Sequence, residues 1–276
     1  MAELEQRLVD VDGAVLEVFV GGAAAPTICQ VPHPILPGRP SDVLAELGRL
    51  VKVNPRGIGA SSAAAQAHHL TIHQLVDDLE AVRRRLGIDR WVLHGSSGGG
   101  EVSLRYALRY PEAVIALIVM GCPPGFRRIL GDPRTQMSPE YPEWKQRLAQ
   151  LPPQTGPGMR WTQITTERWA LTEDGRARLV ARAPSPEQGL PERVRVVFEE
   201  IVNYRFGDDL GRLRAPALVM HGRNDTVVPF EYGQELSAAL PNAEFVVFEH
   251  SEHGVMTYEP QKYREVVQRF IAAHGG

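Results

Sequence analysis

The chain has 276 residues, of which 43% are hydrophobic and 23% are charged, and its formal net charge is -3. This length and apolar content are sufficient for a full hydrophobic core, so we expect one large globular domain, alone or with an insertion. A slightly acidic balance without a basic block gives no electrostatic reason to expect nucleic acid or an anionic membrane as a partner.

The N-terminal segment, MAELEQRLVD, mixes charged and apolar residues and has no continuous apolar region of the kind found in signal peptides. No later stretch approaches the roughly 20 apolar residues that a membrane helix requires. The two cysteines, Cys29 and Cys122, are too few for a disulfide framework and lack the paired spacing of a zinc site. The sequence therefore predicts a cytoplasmic protein that does not bind membranes.

Along the chain, short apolar runs alternate with segments of helical period. Seven runs rich in Val and Ile predict β-strands: AVLEVFV, TICQV, RLVKVN, RWVLHG, AVIALIVMG, PALVMHG and AEFVVFEH. The clearest helix is TIHQLVDDLEAVRRRLG, which has one apolar face, a capping-box pattern at Thr71 and Gln74, and a stop at Gly87. Apolar strands separated by amphipathic helices indicate a mostly parallel sheet covered on both faces.

The stretch from Cys122 to about Arg212 interrupts this alternation. It is rich in Pro, Gly, Arg and Trp, and it contains helix-like pieces such as TERWALT and PERVRVVFEEIVNYRF but no convincing strand. We interpret residues 122–212 as a helical cap that is inserted after AVIALIVMG and lies over the end of the sheet. Residues 1–121 and 213–276 then form the α/β core.

The run WVLHGSSGGGE passes abruptly from apolar residues to two serines and three glycines. RWVLHG predicts a buried strand and GGGEVSLRYALRY predicts a helix, so the chain must turn sharply at the serines. In a nucleophile elbow, G-x-S-x-G, such a turn exposes the central serine at the carboxyl end of the sheet. The pattern fits with Ser97 at its centre, whereas centring it on Ser96 would require glycine where His94 stands. Ser97 is therefore the candidate nucleophile, with Ser96 as its neighbour.

A serine hydroxyl is a weak nucleophile and needs a histidine base and a carboxylate that orients this base. Asp225 follows the strand PALVMHG at the same carboxyl edge as Ser97, although an aspartate there can also cap the next helix. His253 lies in the loop after the last strand, from which a base can reach Ser97. His250 is the alternative base, but we interpret it as the last residue of the strand AEFVVFEH, where sheet geometry would fix it.

Together these segments resemble the α/β-hydrolase superfamily over essentially the whole chain. The matching segments are HGSSGGG at the elbow, RYALRYPEAVIALIVMGCPP after it, NPRGIGAS after the fourth strand, HGRNDTVVP around the acid and SEHGVMTYEP around the histidine. The resemblance implies a mostly parallel, eight-stranded sheet flanked by helices, and it is strongest to the capped esterases and the proline-iminopeptidase-like groups. A serine at the elbow speaks against dehalogenases and epoxide hydrolases, whose nucleophile is an aspartate.

The segment after the third strand departs from the family pattern. Family members usually carry His-Gly and a small residue there, and a backbone N–H supplies half of the oxyanion hole. This chain has QVPHPILPG, and its prolines have no N–H to donate. If His33 and Pro34 occupy the His-Gly positions, the donor is the backbone of Ile35; the alternative donor is His33 itself, and the loop can equally be a rigid pocket wall. The other donor is expected to be the N–H of Gly98.

The sequence thus predicts a serine hydrolase in which Ser97 attacks a small-molecule carboxylic ester, His253 acts as base and then as acid, and Asp225 orients it. No metal or organic cofactor is implied. The cap is expected to roof the pocket, although packing within the insertion's own core explains its aromatic residues at least equally well. The candidate substrate-binding residues are His33, Ser96, Cys122, Phe126, Trp161, Trp169, Tyr204 and Phe206.

Two other classes remain open, and the sequence leaves the oligomeric state undecided. A proline-iminopeptidase-like aminopeptidase, or another amide or lactone hydrolase, is the first. An aminopeptidase would need acidic groups in the insertion to hold the substrate's ammonium group, and solvated helix faces are the other explanation for such residues. The second class is a non-catalytic member of the fold that binds a ligand or partner. The acidic residues available to the aminopeptidase are Glu199, Glu200, Asp208 and Asp209.

Overall fold

The computed structural model describes residues 3–36, 38–129, 132–135, 138, 142 and 186–275, apart from the side chains of 186–191 and 202. Its centre is one sheet with the strand order β1-β2-β4-β3-β5-β6-β7-β8. β2 is antiparallel to β1 and β4, and the other neighbours are parallel, so the predicted eight-stranded, mostly parallel sheet is confirmed. The strands are β1 (Leu4–Val11), β2 (Ala14–Gly22), β3 (Thr27–Gln30), β4 (Arg49–Val53), β5 (Trp91–Ser96), β6 (Val114–Met120), β7 (Ala217–Gly222) and β8 (Ala243–Phe248).

Helices cover both faces of the sheet. One apolar core joins the sheet to α2, α3, α4 and α5, and a second joins its other face to α1, α6 and α7. The helices are α1 (Asp42–Leu47), α2 (Ile72–Arg85), α3 (Gly98–Arg109), α4 (Pro186–Asn203), α5 (Phe230–Ala239), α6 (Val255–Tyr258) and α7 (Pro260–His274). Within the part of the chain that the structure describes, no helix has the length and apolar character needed to cross a membrane.

The predicted boundaries of α2 match the structure closely. The Thr71 side chain caps the helix by accepting a hydrogen bond from the Gln74 N–H at 3.1 Å. The Gln74 side chain donates to Asp78 at 2.9 Å instead of returning to Thr71, so only half of the capping box forms. The helix ends at Arg85, and Gly87 adopts a φ of 64°, which glycine tolerates without steric cost.

The edge strand β1 is not among the strands that the sequence predicts. Its residues are mostly exposed, and it pairs with β2 alone, so its sequence LEQRLVDV lacks the apolar run of a central strand. The turn after β1 does contain a sequence signal for a hairpin. Asp12 and Gly13 connect Val11 to its partner Ala14, and Gly13 has a φ of 74°. Asp-Gly between two alternating segments is typical of a hairpin.

The helix α4 lies within the predicted cap, and charged contacts add to the apolar packing that joins it to the core. The carboxylate of Glu200 accepts hydrogen bonds from the N–H groups of Ile72 and His73, at the N-terminus of α2, where the helix dipole favours a negative charge. The same carboxylate pairs with the guanidinium of Arg105 on α3. This contact holds α4 against two core helices. The division of the chain into a core and a cap at 122 and 212 stays a prediction.

Candidate active site

Ser97 stands between the end of β5 and the start of α3. Its backbone has a φ of 53° and a ψ of -121°, and among the described residues it is the one non-glycine residue with a positive φ. Such a conformation costs on the order of 1–3 kcal/mol and persists only where surrounding contacts enforce it. The Ser97 N–H donates to the carbonyl of Met120, at the end of the neighbouring strand β6, over 2.8 Å. The serine is thus held in a strained turn at the carboxyl edge of the sheet.

Close backbone approaches explain the glycines around Ser97. A Cβ on Gly95 would lie 2.3 Å from the carbonyl oxygen of Gly99 and 2.4 Å from Oγ of Ser103, because α3 turns back onto β5. A Cβ on Gly98 would lie 2.8 Å from Nε2 of His33 in the loop after β3. The small residues are therefore required for the strand to turn directly into a helix beneath that loop.

Asp225 and His253 form a hydrogen-bonded pair at the same edge. His253 Nδ1 lies 2.8 Å from Oδ2 of Asp225, while Oδ1 accepts from the N–H groups of Val227 and Val228 at 2.8 Å each. His221 Nε2 approaches the same Oδ2 at 3.3 Å. Burial alone would raise the pKa of Asp225, but the hydrogen bonds from His221 and His253 outweigh it and hold the pKa well below its usual range. Asp225 is therefore an ionised, immobilised acceptor.

The orientation of His253 follows from this pair. Because Asp225 accepts from Nδ1, the neutral ring carries its proton there and leaves Nε2 able to accept one. The ring packs on Gly121, where a Cβ would lie 2.9 Å from its Cε1. Gly121 follows Met120, which binds the Ser97 N–H, so the imidazole lies beside the backbone that supports the elbow. Sequence reasoning did not single out Gly121, although a glycine directly after an apolar strand was a visible signal.

His250 has a different position from the one expected. β8 ends at Phe248, so His250 is not the last residue of the strand but lies exposed in the following turn. Its backbone N–H donates to Glu259 at the start of α7 over 3.0 Å. The structure therefore brings His253, and not His250, to Asp225.

The loop after β3 folds around the ring of His33. The N–H groups of Ile35 and Leu36 both donate to His33 Nδ1, each over 3.1 Å. The Ile35 N–H, expected to be an oxyanion donor, is thus engaged inside the loop. Gly98 is the first residue of α3, and the first N–H groups of a helix have no acceptor within it. The structure brings the His33 ring and Gly98 into contact.

Ser96, Cys122 and Phe126 occupy positions near the elbow with different exposure. Ser96 ends β5 and is half-buried, whereas Cys122 and Phe126 are buried. A Cβ on Gly100 would lie 2.8 Å from Sγ of Cys122, so this cysteine packs against the first turn of α3. Burial raises the pKa of the Cys122 thiol well above its ordinary value. These contacts match packing at the edge of the core, the alternative interpretation of Cys122.

Two of the aromatic residues expected to line the pocket, Tyr204 and Phe206, contact each other. The Tyr204 ring lies 3.6 Å from the guanidinium carbon of Arg105 and 5.0 Å from the ring of Phe206. Arg105 lies eight positions after Ser97, or about two helical turns along α3. There Tyr204 borders a cavity of about 390 Å³ that is also lined by Arg105, Arg109 and Glu200. Trp161 and Trp169 lie outside the described residues.

The acidic residues considered for an aminopeptidase have other partners or lie on the surface. Glu199 pairs with Arg195 at 2.9 Å, and Glu200 pairs with Arg105. Asp209 pairs with Arg212 at 2.9 Å, and Asp208 is exposed on the turn Gly207–Arg212. Over the same described ranges, no cluster of three His, Cys, Asp or Glu side chains has the geometry to hold a metal ion.

Comparisons with known proteins agree with this architecture. The family model described as alpha/beta hydrolase fold matches residues 49–260. The proline iminopeptidase of Neisseria gonorrhoeae is 29% identical over 252 residues, which cover 80% of this chain and 78% of that protein. An alpha/beta fold family hydrolase from Bacillus anthracis superposes with a TM-score of 0.76 at 20% identity, over 96% of this chain and 99% of the other. A putative lipase from Acinetobacter baumannii superposes with a TM-score of 0.69 at 18% identity, over 98% of this chain and 91% of the other. The chain belongs to the α/β-hydrolase fold family.

Proposed function

We propose that the protein is a serine hydrolase that cleaves a small-molecule carboxylic ester through an acyl-enzyme on Ser97. The observation that carries this proposal is the strained Ser97 at the carboxyl edge of the sheet that also holds the 2.8 Å pair of His253 and Asp225. Membership of a family of hydrolases supports the same reaction class. The fold alone would not support a reaction, because one fold hosts many functions and the residues of the site decide among them.

In this mechanism His253 Nε2 accepts the hydroxyl proton of Ser97 as its Oγ attacks the ester carbonyl carbon. The carbonyl π pair moves to oxygen, and donors that include the Gly98 N–H stabilise the oxyanion. The ionised Asp225 stabilises the imidazolium that forms on His253. Collapse of the tetrahedral intermediate expels the alcohol, which takes the proton from His253. Water then attacks the acyl-enzyme by the same steps and releases the acid.

An iminopeptidase activity is the second candidate, and its support is the 29% identity to the Neisseria gonorrhoeae proline iminopeptidase. An aminopeptidase must hold a substrate ammonium group, which a desolvated carboxylate without another partner does best. In the described part of the cap, Glu199, Glu200 and Asp209 are each committed to an arginine. Among the described residues, these pairings leave none of the three carboxylates free for a substrate ammonium group.

The two candidates are separated by substrate class. Purified protein is assayed with p-nitrophenyl acetate and butyrate and, in parallel, with prolyl and alanyl p-nitroanilides, with Ser97→Ala as the blank. We expect turnover of the esters and kcat/KM values for the anilides at least about 100-fold lower. Faster turnover of the prolyl anilide would replace the ester proposal with the iminopeptidase. A protein that turns over neither class and takes up no fluorophosphonate would be a non-catalytic member of the fold.

A further inference from the structure

We infer that the second oxyanion donor of this site is the Nε2–H of His33, in place of a backbone N–H from the loop after β3. The inference rests on the proposed serine hydrolase function and assigns a catalytic residue to it. The starting observation is that the Ile35 N–H donates to His33 Nδ1 over 3.1 Å. A donor committed to an acceptor inside its own loop is not available to a substrate oxygen, and the prolines of this loop have no N–H.

The loop fixes the tautomer of His33. Two N–H groups, from Ile35 and Leu36, converge on Nδ1, so this nitrogen must carry the lone pair. A neutral imidazole with an accepting Nδ1 has its proton on Nε2. Burial, with a smaller contribution from nearby His253, lowers the pKa of His33 to about 4. The ring is therefore neutral at pH 7 and presents one N–H, at Nε2.

The ring also has the right neighbour. His33 Nε2 lies 2.8 Å from the position that a Cβ on Gly98 would occupy. Gly98 is the residue whose N–H is the other expected donor, and its lack of a side chain lets the imidazole approach. The His33 side chain keeps partial exposure, unlike the buried Pro34 and Ile35 beside it. The Nε2–H therefore lies beside Gly98, at the edge that holds the nucleophile, which is where the proposed mechanism places the oxyanion.

The loop is held rigidly enough for a side-chain donor to be pre-oriented. Arg193 of α4 is buried and donates to the carbonyl of Pro34 at 3.2 Å and also to the carbonyl of Arg56. The cap helix thus clamps the residue next to His33. In the reaction His33 keeps its proton throughout: it donates a hydrogen bond to the oxyanion as the bond from Ser97 Oγ to carbon forms, and this bond weakens when the carbonyl re-forms.

Two substitutions separate the donor from the loop scaffold. His33→Asn retains an acceptor close to the position of Nδ1 for the N–H groups of Ile35 and Leu36 but removes the Nε2 donor. His33→Gln retains a donor close to the position of Nε2. We expect His33→Asn to lower kcat for p-nitrophenyl acetate on the order of 100-fold, the scale of a lost oxyanion donor, and His33→Gln to recover part of this loss. His250→Ala, an exposed histidine beyond β8, is the matched control.

A thionoester analogue distinguishes an oxyanion donor from a purely structural residue, because loss of a structural residue would lower kcat equally for the ester and the thionoester. Sulfur is a poorer hydrogen-bond acceptor than oxygen, so a variant without the donor should lose less than about tenfold on the thionoester. Equal losses on both substrates, or a His33→Asn kcat within about threefold of wild type, would overturn the inference. Circular dichroism and the fluorophosphonate labelling stoichiometry of each variant verify its fold and nucleophile. If the wild type neither hydrolyses esters nor takes the label, the proposed function fails first and the inference falls with it.

Discussion

The two halves of α3 serve different purposes. Its first turn, Gly98 to Gly100, has no side chains, and the His33 ring and Cys122 press directly against its backbone. Glu101 follows directly, and it is buried and paired with Arg105, which lies one turn further along and also pairs with Glu200 of α4. The first region needs bare backbone beside a strained serine, and the second needs long charged side chains to attach another helix. Substitutions around the first region should therefore abolish activity, and substitutions in the second should lower the free energy of unfolding.

The largest expected effect is on the first region. Ser97→Ala removes the nucleophile and should lower kcat for an activated ester by about 10⁶-fold, because the triad acts as a unit. The thermal unfolding midpoint should stay close to the wild-type value, because no buried side chain is lost. Ser96→Ala, one residue earlier at the end of β5, is the matched control and should keep most of the activity. Comparable losses of activity in the two variants would contradict the assignment of Ser97 as the nucleophile.

The second-largest expected effect concerns the proposed base of Ser97. His253→Ala removes the group that accepts the Ser97 proton and should lower kcat by several orders of magnitude, about 10⁴-fold or more. His250→Ala removes an exposed imidazole whose backbone alone binds Glu259, so it should change kcat little. Measuring both on p-nitrophenyl acetate, with folding checked by circular dichroism, gives the comparison. An inactive His250→Ala beside an active His253→Ala would reverse the assignment.

The third effect concerns the other half of the helix. Arg105→Met leaves the buried Glu101 without its ion-pair partner and releases Glu200, and breaking such a pair costs about 3 kcal/mol or more. Urea denaturation should show this loss in the free energy of unfolding. Arg109→Met, which removes an exposed pair with Asp77 one turn further along, should cost less than about 1 kcal/mol. If the two substitutions cost the same, the buried network does not attach α4 to α3.

Prediction from sequence succeeded where the signal was local. The α2 cap at Thr71 depends on residues three positions apart, and the elbow depends on glycines on either side of one serine. β1 was missed because an edge strand needs no apolar run, and the Asp12-Gly13 turn was its remaining trace. The residues around Asp225 and His253 could be proposed because the carboxyl ends of parallel strands share one edge of the sheet.

The remaining features depend on contacts that no local pattern contains. Arg105 and Glu200 are 95 positions apart, so their pairing becomes visible only when α4 is packed against α3. Tyr204 is an aromatic residue of the kind that lines pockets, but its position is set by its packing on the Arg105 guanidinium. The donors in the loop after β3 could be counted from its prolines, whereas the hydrogen bonds that occupy the Ile35 N–H depend on how the loop folds around His33.

The central claim is that Ser97 is a nucleophile activated by His253 and Asp225. Its most direct test is covalent labelling of the intact protein with a fluorophosphonate, followed by mass spectrometry of the tryptic peptide that spans residues 91–105. We predict one adduct per protein, assigned by fragment ions to Ser97 and not to Ser96, with a labelling rate that falls by orders of magnitude in His253→Ala. An adduct on another residue, or ester hydrolysis at full rate by a protein that takes no label at Ser97, would contradict the account.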